Sequence, residues 1–207
     1  MKNILILYPK LFNCYDKFYR KISKIISNTN ELSIVFPHDH NGFIAKFSKD
    51  NLPSVELLNI TDWNISDVTH GIIFDDDDEF SEETELLKLN NIPLRPIKIL
   101  ITRVINIKND TQYKSEKSTS TYEYIGRGSC WGNPYSIYDI EDLDEGEDPR
   151  RLAINNYKYD FEHGKWFKDN KNEVYKLAGK RLGCFCKPLA CHGDVLADFL
   201  NAWDDGH

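Results

Sequence analysis

The 207-residue chain has no long hydrophobic run. Its first apolar segment, Ile4 to Leu7, follows Lys2 and is broken by Pro9 and Lys10, too short for a secretion signal core or a membrane span. Positive charge is not in excess either: the formal net charge is -7. Up to Ile107 the chain carries 12 basic and 15 acidic residues, and beyond it 14 and 18. Neither part offers the broad basic face that non-specific nucleic-acid binding requires, although a local basic groove remains open. A paired cysteine framework is missing as well. There are five cysteines, an odd number, and three of them fall within Cys184 to Cys191. That distribution points to free thiols in a reducing, cytoplasmic compartment. No internal repeat is visible, and no low-complexity tract beyond Asp75–Asp78.

What is present suits a globular protein of one or two domains. The hydrophobic fraction is 41% and the aromatic fraction 13%, enough to bury a core. Abundant Asn, Lys and Ile fit an AT-rich genome, such as that of a phage or a low-GC bacterium. Strand and helix signals alternate through the first part. Asn3–Tyr8, Leu32–Phe36, Val55–Ile60, Gly71–Phe74 and Ile97–Ile101 read as short buried strands. Tyr15–Ser27 places Phe18, Ile22, Ile25 and Ile26 on one helical face, and Gly42–Lys49 also reads as a helix. Ser81 reads as the N-cap of a further helix, SEETELLKLNN, with acidic residues in its first turn. This alternation implies an α/β fold, a Rossmann-like parallel sheet with helices on both faces. Asn109–Ser120 is polar and aperiodic. The expected organisation is a domain over 1–107, a linker over 108–120, and a smaller α+β domain over 121–207.

In that second domain Tyr122–Ile125 and Arg181–Cys184 read as strands. Ile140–Asp148 reads as an acidic loop. Pro149 opens a helix over Arg150–Phe161, and Asn172–Ala178 and Gly193–Trp203 are further helices. Two motifs stand out. In GRGSCWGNP, Gly126, Gly128 and Gly132 permit tight turns, while Arg127 supplies a planar fork for phosphate or carboxylate. Asn133 before Pro134 starts a turn and has both donor and acceptor groups. The motif reads as an anion- or base-binding loop with Gly126, Arg127, Gly128, Ser129 and Asn133 as contacts, or as a structural turn that buries Trp131.

The second motif, GCFCKPLACHGD, supports three readings. Cys184, Cys186, Cys191 and His192 are candidate metal ligands, with zinc the candidate ion. The spacing lacks the two separated pairs of a typical structural zinc site, and adjacent Cys191 and His192 are expected to be strained as joint ligands. In a catalytic reading, Cys191 and His192 open the last helix, whose free N–H groups stabilise a thiolate or anion. His192 then serves as acid or base, Asp194 orients it or contacts a ribose, and Lys187 holds a phosphate. In a packing reading the cysteines are small core residues and Asp194 caps the helix.

Met1 to Ile105 resembles the SLOG superfamily of Rossmann-like domains that bind or process nucleotides. The likeness lies in LFNCYDKFYRKI after the first strand, in NLPSVELLNITDWN, and in THGIIFDDDDEFSEETELLKLNNIPLRPIKI. The family's Ser-x-Gly-Thr turn reads here Ser81-Glu82-Glu83-Thr84. The family's Gly-Ser-Arg after strand one is replaced by Tyr8-Pro9-Lys10, and its Gly-rich loop after strand two by His38–Gly42. A phosphate cradle needs free N–H groups and no Cβ in the way, and it excludes carboxylates. Pro9, Asp39, Glu82 and Glu83 therefore imply a degenerate module kept for packing, dimerisation or another ligand. His38 and His40 offer a metal pair or a polar loop, and Asp75–Asp78 a cation loop or a solvated one.

Tyr122 to about Leu200 resembles the domain of unknown function 4326 family, marked by a GRGSPLGNPF-like loop and a Cys-x-Cys-Lys-Pro…Cys-His-Gly-Asp segment. Arg127, Gly132, Asn133, Pro134, Lys180, Cys184, Cys186, Lys187, Pro188, Cys191, His192, Gly193 and Asp194 match its pattern. Cys130-Trp131 replaces Pro-Leu, which sets Cys130 apart from a shared site. The two motifs are expected to converge on one cleft, with Arg127 and Lys187 on anionic groups, Asn133 and Asp194 on a base or sugar, and Cys191/His192 carrying chemistry. The expected function is an enzyme acting on a nucleotide, nucleoside or nucleobase, with glycosidic-bond chemistry as one class. The alternative is a zinc-stabilised module that binds nucleic acid or a protein. A third reading is a phage interaction protein with an exposed acidic Trp203-Asp204-Asp205 tail. No membrane partner is expected, and a homodimer is compatible with the sequence.

Overall fold

A computed structural model of the chain describes residues 2–27, 29, 31–108, 111–113, 118–138, 146, 148–165 and 171–206. Contacts divide it into two compact units. One runs to Leu100 and includes the tail from Ala202. The other spans Ile101–Asn201.

The first unit is built on five parallel strands: β1 (Lys2–Leu7), β2 (Leu32–Phe36), β3 (Glu56–Asn59), β4 (His70–Asp75) and β5 (Leu94–Lys98). They lie in the order β3-β2-β1-β4-β5, every neighbouring pair parallel. Central β1 is buried along Ile4–Leu7, as a strand covered on both faces must be. Alternate residues serve opposite layers. Leu5 and Leu7 join Val35, Val68, Ile73 and Leu87 on the face carrying helix α3 (Ser81–Leu89). On the other face Tyr8 and Phe74 meet Phe18 of α1 (Tyr15–Ile26), and Tyr8 stacks on Phe43 of α2 (Phe43–Asn51). Helices thus cover both faces of a Rossmann-like parallel sheet. In α1, Phe18, Ile22 and Ile26 form the buried stripe.

Local details depart from the sequence reading. The N-cap of α3 is Phe80, at φ 63°, and Ser81 is already helical and makes no side-chain cap. Strand β5 begins at Leu94 rather than Ile97, because Pro96 is tolerated on an edge strand, where no ladder donor is needed on the open side. The acidic loop is closed internally: Lys98 pairs with Asp75 at 2.8 Å and also with Asp77, so it does not form an open cation site.

The second unit holds a smaller sheet, β6 (Arg103–Asn106), β7 (Tyr122–Tyr124) and β8 (Arg181–Cys184), in the parallel order β6-β8-β7. β6 was grouped with the N-terminal part by the sequence reading. Of the expected linker, Thr111–Tyr113 form a 3-10 turn, and Tyr113 stacks on Tyr122. Residues 109, 110 and 114–117 lie outside the described residues, as does most of the expected acidic loop over 140–148. Helix α4 (Pro149–Glu162) starts with Asp148 accepting from the Arg150 N–H and with Pro149 in its first turn. The helix expected over Asn172–Ala178 is a 3-10 segment, Lys171–Leu177, followed by the three-residue backbone bond Lys180 N to Leu177 O and by Gly179 at φ 74°. Helix α5 (His192–Asn201) packs Leu196 and Leu200 into a core with Ile125, Trp131, Tyr157, Phe161, Val174 and Leu182. Among the described residues no helix is long and apolar enough to cross a membrane.

The C-terminal tail is not a free acidic arm. Asp204 takes a bidentate bond from Arg20 at 2.7 and 2.8 Å, and Asp205 pairs with the buried Lys17 at 2.6 Å. The Arg20 fork holds the Asp204 carboxyl down at about 2. A depressed carboxylate stabilises the fold above its unfolded value of about 3.9 and loses that contribution as pH falls toward 2. The tail is therefore expected to detach between pH 4 and 2, measured as a change in fluorescence that is absent from Trp203→Phe. At neutral pH, Asp205→Ala should cost on the order of 2 kcal/mol by stranding the Lys17 ammonium, checked by urea unfolding.

Candidate functional site

The glycine motif begins where β7 ends. Ile125 N–H donates to the Gly183 carbonyl of β8, so the chain leaves the sheet at Gly126. The loop closes on itself through Ser129 N to Gly126 O and Gly132 N to Ser129 O, both 3.1 Å. A Cβ at Gly132 would lie 2.6 Å from the Gly126 carbonyl oxygen, so only glycine allows this approach. Asn133 then ties the loop to α4: its Nδ2 donates to the Ala153 carbonyl and its Oδ1 accepts from the Tyr135 N–H. The expected base-reading group is thus engaged in holding the loop.

The second motif begins where β8 ends. Cys184 is the last strand residue, Cys186 follows in the turn, and Cys191 precedes the first residue of α5, His192. Three bonds fix this corner. Cys191 N–H donates to Asp194 Oδ2, Asp194 N–H to the Cys191 carbonyl, and Gly193 N–H to Cys191 Sγ at 3.4 Å. Asp194 Oδ1 pairs with Lys187 Nζ at 2.6 Å. Asp194 is therefore a helix-start clamp, as the packing reading has it. Lys187 is held on it, and neither is among the cleft-lining residues. Lys180, likewise matched to the family pattern, pairs with Glu123.

His192 Nε2 lies 2.8 Å from the Ile125 carbonyl, which only accepts, so Nε2 carries the proton. Nδ1 then presents a lone pair, 3.8 Å from Cys191 Sγ. Burial pushes the imidazole toward its neutral form. Cys184 Sγ donates to Cys186 Sγ at 3.5 Å. Hydrogen bonds from Cys184 and Cys191 pull the Cys186 thiol down and raise their own. Cys191 and His192 are adjacent in sequence, and Cys191 Sγ and His192 Nδ1 lie on one side, 3.8 Å apart, as the chain turns from loop to helix between them. The donor atoms of Cys184, Cys191 and His192 lie within 4.8 Å of one another.

The two motifs meet. A cleft of about 400 Å³ is lined by Gly126, Arg127 and Asn133 from the first, and by Cys184, Cys186, Cys191 and His192 from the second. Gly128 and Ser129 line a separate depression on which Arg127 and Asn133 also border. The cleft also takes Arg150, Tyr135, Tyr138 and Phe185, which the sequence reading did not assign to a site. Arg150 donates to the Ala190 carbonyl. A signal for it was present: Arg150 and Arg151 lie in the first turn of α4, where the helix dipole disfavours cations. Cys130 is exposed and absent from the cleft lining.

The corresponding place in the first unit is filled by the chain itself. Asp39 accepts the Ile44 and Ala45 N–H groups at the start of α2, at 3.0 and 2.9 Å, and the Tyr8 hydroxyl at 2.5 Å. Its carboxylate sits where a phosphate would be cradled. His38 and His40 are exposed, with rings stacked at 5.1 Å, and belong to no three-ligand cluster among the described residues.

Two substitutions test these roles. Gly132→Ala should destabilise the second unit by about 1–3 kcal/mol through overpacking against backbone, read by denaturant unfolding. Asp39→Ala should cost about 1–2 kcal/mol by uncapping α2, measured the same way.

Comparison with known proteins agrees with this division. Residues 1–105 match the minimal SLOG domain, and residues 105–202 match the domain of unknown function DUF4326. The chain is 36% identical over 102 residues to an uncharacterized 12.4 kDa protein in the nrdA-td intergenic region of Enterobacteria phage T4, a match covering 49% of this chain and 79% of that protein. No solved structure matches it. The chain belongs to the minimal SLOG family, a group of nucleotide-related domains, and joins that domain to a DUF4326 domain carrying the cleft.

Proposed function

We propose that the cleft of the second unit binds and acts on a nucleotide, nucleoside or nucleobase. The single observation behind this reading is the convergence of the glycine loop and the Cys-His corner on one cleft that also carries two guanidinium groups, Arg127 and Arg150. Guanidinium forks match phosphate oxygens, and a glycine loop lets a ligand approach the backbone. Tyr138 and Phe185 are 85% and 49% exposed at the same cleft. Apolar faces left in water beside cationic groups suit a base that stacks while its phosphate is held. The volume is also right for a small ligand.

The first unit supports this placement indirectly, because Asp39 occupies its anion position. Nor do Cys191 and His192 act as nucleophile and base in this reading. They are 1% and 5% exposed, and the Nε2–H of His192 is held by Ile125. Glycosidic-bond chemistry, which needs a carboxylate beside the sugar, would draw one from outside the described lining residues.

The test is calorimetric titration of the full chain with nucleoside mono- and diphosphates, nucleosides and free bases, followed by chromatography of each mixture for turnover. Binding should favour phosphorylated ligands. Arg127→Ala and Arg150→Ala should each weaken it by about 10- to 100-fold, the loss of one charge-assisted contact. The absence of binding across the whole panel, or binding by both variants as tight as by the unmodified chain, would sink the reading.

A further inference from the structure

We infer that Cys184, Cys186, Cys191 and His192 form a four-ligand site for a zinc-class divalent ion at the floor of the cleft. The claim goes beyond ligand binding and does not depend on it. Zinc bonds of about 2.3 Å to sulfur and 2.0 Å to nitrogen set tetrahedral ligand atoms about 3.5–3.8 Å apart. Cys184 Sγ and Cys186 Sγ are 3.5 Å apart, and Cys191 Sγ and His192 Nδ1 are 3.8 Å apart. The donor atoms of Cys184, Cys191 and His192 lie within 4.8 Å of one another, and Cys186 adjoins them through its 3.5 Å contact with Cys184, completing the set as the fourth ligand.

The histidine gives an independent reason. Its side chain is buried, its Nε2–H is held by a backbone carbonyl, and its Nδ1 lone pair points into the sulfur cluster, where only a weak thiol donor meets it. A backbone acceptor that fixes the distal nitrogen is the usual support for a metal-bound imidazole. Gly193 N–H on Cys191 Sγ is the same kind of support for a ligating sulfur. Three thiols and an imidazole need no such convergence merely to fill a core, since a thiol packs equally well against hydrocarbon. Soft sulfur donors with one imidazole select zinc over magnesium or calcium.

The geometry also assigns two other residues. Gly193 permits the close approach: a Cβ there would lie 2.4 Å from Ile125 Cδ1. Cys186, half-buried where the other three are buried, is the ligand on the cleft side.

The test uses the full chain, purified with reductant after growth in zinc-supplemented medium. Elemental analysis should find about one zinc per chain. Exchange into cobalt(II) should give intense sulfur-to-cobalt charge-transfer bands together with the visible bands of tetrahedral coordination. The double variant Cys184→Ser/Cys191→Ser should lose the metal, and Cys14→Ser/Cys130→Ser should keep it. If the first variant fails to fold, the cobalt spectrum of the unmodified chain decides. A folded, zinc-reconstituted chain that retains less than about a tenth of an equivalent after desalting, or that gains no charge-transfer bands with cobalt, overturns the site. Both measurements are made without nucleotide, so their failure is separate from failure of the ligand titration.

Discussion

The hydrogen bond from His192 Nε2–H to the Ile125 carbonyl joins residues 67 positions apart at the point on which the second unit turns. Ile125 is the residue before the glycine loop, and His192 is the first residue of α5. The bond therefore ties the start of one motif to the start of the other. It does so within a parallel sheet: β7 and β8 run side by side, and both chains leave at the same end. In parallel α/β architecture that end is where loops gather and ligands are bound. Gly193 is part of the same constraint, because a Cβ there would lie 2.4 Å from Ile125 Cδ1 and about as close as packing allows to Val104.

The polar residues of the two motifs fall into two groups. Asn133, Asp194, Lys187 and Lys180 are each paired with a neighbouring backbone group or opposite charge, and they shape the corner. Arg127 and Arg150 line the cleft, where Arg150 also donates to the Ala190 carbonyl. Charge complementarity explains the contrast. A lysine and an aspartate seven positions apart across a turn neutralise each other at contact distance, whereas the described cleft lining contains no carboxylate to engage the guanidiniums.

The fold was legible where periodicity was strong. β2 and β8 fit their expected bounds, and α1 was set by its apolar stripe. It was less legible where a residue had two possible uses. The strand read at Ile97–Ile101 starts instead at Leu94, because Pro96 occupies an edge strand, where a missing donor is harmless. Ser81 looked like a cap, but Phe80 takes that position in a left-handed conformation that no composition rule favours. β6, four residues with Arg and Asn at its ends, has no pattern of its own and exists through pairing with a strand far along the chain. The site followed the same rule. Its motif residues were identifiable, whereas Tyr138 and Phe185 acquire a role only through where the chain folds. Asp204 and Asp205 read as a solvated tail because Lys17 and Arg20, their partners, lie more than 180 positions away.

The same competition between internal and external partners separates the two units. In the first, a helix start that would attract an anion meets one already in the chain: Asp39 accepts two α2 amides and the Tyr8 hydroxyl. A dissolved phosphate would have to displace a carboxylate held at effectively higher concentration, and it would add charge beside it. In the second unit the corresponding corner is organised by sulfur and imidazole. The nearby carboxylate, Asp194, is turned onto Lys187 and a backbone amide. The first unit fills its anion position from within the chain, whereas the described lining of the cleft in the second unit holds guanidinium groups and no carboxylate.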